Sequence, residues 1–88
     1  MPEISRFYGI IIYMYLQDHN PPHFHAKYND FQIMISIDNF AVLNGKFPSK
    51  ALALTIEWAS LHQEELIENW KNLSNSENGT FNKIEPLN

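Results

Sequence analysis

The chain has no cysteine. That excludes disulfide bonds and every thiolate-based metal site. It also has no long hydrophobic run. The most apolar stretch, Gly9 to Leu16, falls far short of the roughly 20 residues that cross a bilayer. The N-terminus has neither the basic segment nor the long apolar core of a secretory signal. These absences lead to the expectation of a cytoplasmic protein with no membrane partner. Positive charge is scarce as well: six Lys and Arg stand against ten Asp and Glu, for a net charge of −4. The six, Arg6, Lys27, Lys46, Lys50, Lys71 and Lys83, are scattered. A basic groove tracking a phosphate backbone is therefore not expected, and nucleic acid is left open as a partner only at a local site. Internal repeats and low-complexity segments are absent too.

The chain does contain enough to fold. Its 88 residues, 44% of them hydrophobic, suit a single domain spanning 1–88. A domain this small buries only about 60–65% of the surface its unfolded chain exposes. An apolar patch left over would suggest a partner chain.

Residues 8–17 are β-branched and aromatic and read as a central strand. Alternation sets Ile10, Ile12, Met14 and Leu16 on one face and Ile11, Tyr13 and Tyr15 on the other. Asn20-Pro21-Pro22 stops pairing, because proline has no backbone donor and a fixed φ. Residues 23–28 and 31–37 read as a hairpin across Asn29-Asp30. A two-residue loop pairs Tyr28 with Phe31, His25 with Met34 and His23 with Ser36. Phe24, Ala26, Tyr28, Phe31, Ile33, Ile35 and Ile37 then share a core face. His23, His25, Lys27, Gln32, Met34 and Ser36 share the other. A short strand is expected at 40–43, between turns at Asp38-Asn39 and Asn44-Gly45.

From Ser49, read as an N-cap, the period becomes helical and runs over about 50–73. Leu54, Trp58 and Leu61, with Leu66, Trp70 and Leu73, form its apolar stripe, and Glu57, Glu64, Glu65 and Glu68 line the wet side. The polar tail, 74–88, carries Asn-Gly at 78–79 and is expected to dock or to add a short edge strand. The architecture expected is α+β: an antiparallel sheet of three to four strands with one long C-terminal helix packed on one face.

Three of the four histidines, His19, His23 and His25, lie within seven residues. Residues i and i+2 of a strand share a face, so His23 and His25 point the same way, roughly 6–7 Å apart along the chain. Asp18 and His19 precede the Pro-Pro corner and can fold back towards them. Three nitrogens and one oxygen, from His19, His23, His25 and Asp18, would satisfy a tetrahedral zinc or a related divalent ion. No cofactor is required by this reading, and a divalent metal such as zinc is the one candidate. Alternatively, His23 and His25 would act as acid and base in phosphodiester cleavage, with Lys27 in the same row to stabilise the charged phosphorus centre. H-E-x-x-H is missing. Lys27 stands where the histidine-triad nucleotide hydrolases carry a third histidine, and their glycine-rich context is lacking. His62 is expected on the helix surface. Tyr13, Tyr15 and Met34, beside His23 and His25, make a candidate binding surface on the sheet face that the helix leaves bare.

The segments ISRFYGIIIYMY, DHNPPHFHAKY, WASLHQEELIENW and KIEPL together resemble a bacterial family denoted domain of unknown function 4160, marked by a D-H-x-P-P-H-F-H-A core. Asp18, His19, Pro21, Pro22, His23, Phe24, His25 and Ala26 match that core, and the departures, at Phe40-Ala41 and the Asn-rich tail, lie outside it. Members are often encoded beside a second small protein in pairs that resemble toxin–antitoxin modules. The resemblance implies a small interaction module that acts through a protein partner encoded nearby, with self-association left open. It implies no catalytic residues. The alternative is a histidine-dependent nuclease or phosphoesterase, with or without metal.

Overall fold

In the computed structural model, which describes residues 2–75 and 79–88, five strands precede two helices. They are β1 (Glu3–Phe7), β2 (Ile10–Tyr13), β3 (His23–Tyr28), β4 (Phe31–Ser36), β5 (Val42–Gly45), α1 (Ser49–Leu61) and α2 (Gln63–Asn75). The strands form one antiparallel sheet in sequence order. Each strand pairs with the next, so short links suffice throughout.

The α+β class holds, and the element count is corrected. The expected strand 8–17 is shorter, because Tyr8 and Gly9 are the turn of a hairpin rather than strand. Both have positive φ, 49° and 79°, the twist that a two-residue hairpin needs. The chain before them becomes β1, pairing Phe7 with Ile10 and Arg6 with Ile11. After Tyr13 the strand ends. Leu16, expected beside Ile10, Ile12 and Met14, is exposed, since the chain turns at Gln17 (φ 53°). The strand expected at 40–43 is displaced to 42–45, because Phe40 takes φ 59° and Ala41 is held by the Asn39 side chain. A bulge at Met34/Ile35 adjusts the β4–β5 register. Gly45 (φ 87°) permits close approach there, for a Cβ would overlap the Gln32 carbonyl oxygen.

The β3–β4 hairpin has the register expected from a two-residue loop: Tyr28 opposite Phe31, His25 opposite Met34 and His23 opposite Ser36. Phe31 departs from its expected core place. It sits at the hairpin tip and stays exposed.

The single long helix is also corrected, to two helices jointed at His62. The His62 N–H donates to the Ala59 carbonyl only three residues back, which tightens the last turn of α1. The Gln63 side chain then donates to the carbonyls of Ile37 and Asp38, tying the joint to the end of β4. Glu64 and Glu65 lie in the first turn of α2, where the helix dipole favours negative charge. The break takes Leu61 off the apolar stripe, and it is 67% exposed. At the start of α1 the cap position is Pro48, and Ser49 is the first helical residue, with no side-chain cap.

The helices pack on the Phe24 face of the sheet, and Trp70 of α2 also reaches His23 at the start of β3. Trp58 lies against Phe7 and Phe24, ring centres 5.4 and 6.1 Å away. Ile4, Ile10, Ile12, Ile33, Ile35, Leu66 and Leu73 belong to the same buried cluster. The described part of the tail, 79–88, contains no strand but is docked. Ile84 is buried, and its N–H donates to the Ile4 carbonyl. The Trp58 indole N–H donates to the Glu85 carbonyl at 2.8 Å. The buried Asn69 side chain exchanges two hydrogen bonds with the Asn82 backbone. Asn78, from the expected turn at 78–79, lies outside the described residues. Among the described residues no helix is long and apolar enough to cross a membrane.

Candidate functional site

The link between β2 and β3, residues 14–22, carries the D-H-x-P-P block and is fastened at both ends. Met14 N–H donates to the Pro2 carbonyl, Gln17 N–H to the Leu73 carbonyl of α2, and Ile37 N–H to the Pro22 carbonyl. The Asn20–Pro21 peptide bond is cis. These ties bring Asp18 back over the first residues of β3.

Asp18 is the hub. Its Oδ2 lies 2.8 Å from His23 Nε2 and 3.3 Å from His25 Nε2. Its Oδ1 accepts the His19 backbone N–H at 2.9 Å and lies 3.1 Å from His19 Nδ1. The side chains differ sharply in exposure: 1% for His23, 13% for His25, 14% for Asp18 and 81% for His19. His23 is enclosed because Trp70 of α2 lies across it, ring centres 5.1 Å apart. Donor atoms of Asp18, His23 and His25 all lie within 4.8 Å of one another.

The second nitrogen of His23 defines the ring's chemistry. Nδ1 lies 2.7 Å from the Pro21 carbonyl oxygen, which can only accept, so Nδ1 carries hydrogen and donates. Nε2 then faces a carboxylate oxygen, a second acceptor. Either a hydrogen shared between the two groups or a metal ion satisfies that contact.

Burial of Asp18 favours its neutral form. That is outweighed by the His19 backbone N–H, then by the His25 hydrogen bond and by His23, and the carboxyl is held below its ordinary value of 3.8. His25 is held below 6.5, chiefly by burial and further by the neighbouring His23 and His19, against the hydrogen bond to Asp18.

His25 also faces outward. Its ring stacks on Tyr13 at 5.1 Å and meets the edge of Tyr15 at 4.8 Å. Burial, and then the charge of Tyr15, raise the Tyr13 phenol above its ordinary value of 10.0. With Gln32, Met34, Asn44 and Gly45 these rings line an open groove of about 300 Å³ on the face the helices leave bare.

The structure thus places the expected site residues in three groups. Asp18, His23 and His25 converge. Tyr13, Tyr15 and Met34 line the groove that His25 borders. His19 contacts the far oxygen of Asp18 from solvent, and Lys27 is exposed, belonging to neither the three-residue cluster nor the groove lining. Trp70 as the cover of His23 was not anticipated, because a tryptophan on an apolar stripe reads as core. Nothing local in the sequence marks the Pro21 carbonyl as a partner. Asn44 and Gly45 were missed because β5 lies two residues later than its sequence pattern suggests. His62 packs beside Trp58 and contacts Glu65 at 2.6 Å, remote from this cluster in sequence and absent from its contacts.

The family model for DUF4160, a domain of unknown function, matches residues 9–71, a span that holds every residue of this cluster and groove. No curated protein matches the chain, and no solved structure does.

Proposed function

The chain belongs to the DUF4160 family, and from that premise we propose that it is an interaction module that acts through a small protein partner, in a two-gene system of toxin–antitoxin type. The observation that carries this reading is the asymmetry of the sheet. The helices bury the Phe24 face, while the other, apart from the His23 end that Trp70 covers, holds an open aromatic groove lined by Tyr13, Tyr15, His25 and Met34. Tyr15 is 43% exposed, and Val42 and Leu43 are exposed on β5, the edge strand next to β4. Exposed tyrosine and methionine are enriched where proteins meet, and edge strands offer unpaired backbone. A partner made nearby is what the resemblance read from the sequence implies. Co-expression with the adjacent gene product, followed by size exclusion, tests this. One co-eluting peak is expected, reduced by Tyr15→Asp; two separate peaks with both proteins folded contradict it.

A second reading is a histidine-dependent nuclease or phosphoesterase. It is favoured by His25, which belongs both to the Asp18 cluster and to the groove wall, so a bound phosphodiester would meet an imidazole oriented by a carboxylate. In a growth assay in which wild type is toxic, His25→Ala is expected to abolish toxicity. Undiminished toxicity with an intact fold counts against catalysis.

A further inference from the structure

We propose that Asp18, His23 and His25 bind a single first-row divalent cation of the zinc class, through one carboxylate oxygen and two imidazole Nε2 atoms. The inference stands apart from partner docking, and the failure of either leaves the other intact.

Three observations converge. First, the donors point at one place. Asp18 Oδ2 lies 2.8 and 3.3 Å from the two Nε2 atoms, and all three donors fall within 4.8 Å. Ligands about 2.0–2.2 Å from a tetrahedral ion are about 3.3–3.5 Å apart, so on binding the shorter contact opens by about half an ångström and the widest separation, up to 4.8 Å, closes by about 1.3–1.5 Å.

Second, His23 is already oriented as a ligand. A metal-bound histidine commonly donates its other ring N–H to a backbone carbonyl or a carboxylate, which fixes tautomer and ring plane. The Nδ1–H to Pro21 carbonyl bond at 2.7 Å does this. It leaves Nε2, the nitrogen free to coordinate, aimed at Asp18 Oδ2.

Third, the cluster is enclosed on one side and open on the other. Trp70 shields His23, while His25 borders the groove. His19 reaches the far oxygen of Asp18 and not the shared one, so this set supplies three protein ligands and leaves further positions for water or a ligand in the groove. Two nitrogens and one oxygen suit zinc, cobalt(II) or iron(II), and are a poor match for magnesium, which prefers an all-oxygen shell.

The test uses the full chain, purified without a histidine tag and stripped with a chelator. Cobalt(II) is followed by its visible absorption and zinc by competition with a chromophoric chelator. One equivalent of zinc per chain is expected to bind in the micromolar range or tighter, with cobalt(II) weaker and magnesium without effect. Asp18→Asn and His25→Gln, both near-isosteric, are each expected to weaken zinc by about tenfold or more, while His19→Gln and His62→Gln change it by less than about twofold. Circular dichroism establishes that each variant is folded. His23 is left intact, since its enclosure under Trp70 would confound loss of a ligand with loss of the fold. Absence of stoichiometric zinc binding overturns the proposal. So does binding that survives both Asp18→Asn and His25→Gln, or that fails equally in His62→Gln.

Discussion

Phe24 and His25 are adjacent in β3 and face opposite worlds. Phe24 is fully enclosed beneath Trp58, among Ile12, Ala26 and Ile35. His25 sits between an acidic hub and an open groove walled by tyrosines. Both faces are products of the same two-residue alternation in the same strands. On the covered face, buried side chains with no charge contribute area, and their role is stability. On the bare face, aromatic and imidazole rings stack, a carboxylate collects four contacts, and solvent reaches the groove. Tyr15, 43% exposed there, buries little area on folding, which fits a face kept for something other than the fold.

Substitutions that separate the two faces have a clear order of effect. The largest belongs to the covered face. Trp58→Ala should destabilise the protein by about 3–5 kcal/mol, since it removes a fully buried ring and the hydrogen bond to the Glu85 carbonyl. Urea denaturation should show a mostly unfolded protein, and a loss near 1 kcal/mol would mean that the helices are not seated as described.

Asn69→Ala comes next. It removes both hydrogen bonds to the exposed Asn82 backbone, at a net cost of about 0.5–1.5 kcal/mol each, and it should release the tail before the sheet melts. Protease sensitivity confined to residues beyond 79 is the expected readout.

The histidine corner should respond to acid in the absence of metal. His25 is held below 6.5, so the unfolded chain binds more protons than the folded one as pH falls past that value, and stability declines. Asp18, held below 3.8, contributes stability that is present above that value and lost as pH falls through its lowered one. The thermal midpoint should therefore fall on acidification below 6.5, with a shallower initial slope in His25→Gln. A midpoint that rises over that interval would reverse the sign. Smaller in stability is Tyr15→Ala, at about 0.5–1.5 kcal/mol for its ring contacts with Tyr13 and His25, although the same change should weaken partner binding.

How far the sequence foretold this contrast varies by element. The β3–β4 hairpin was legible because a two-residue loop at Asn29-Asp30 leaves only one register, and that register set His25 beside Met34. The side-sharing of His23 and His25 followed from strand periodicity alone. Asp18 could be suspected as their companion, but its approach depends on the ties of Gln17 to Leu73 and of Ile37 to Pro22, which join residues distant in sequence. β1 was hidden because Tyr8 and Gly9 continue an aromatic and apolar run, and only their positive φ reveals a turn. The joint at His62 was hidden because helical periodicity continues across it. The bonds from Gln63 to Ile37 and Asp38 that hold it are tertiary.

The most direct test of the division between the faces is a backbone amide chemical-shift map of the labelled chain with its co-expressed partner. Shifts concentrated at Tyr13, Tyr15, His25, Met34 and Asn44, with α1 and α2 unmoved, are the predicted result. Shifts centred on α1 or α2, with the groove residues unchanged, would contradict the assignment of the bare face as the working one.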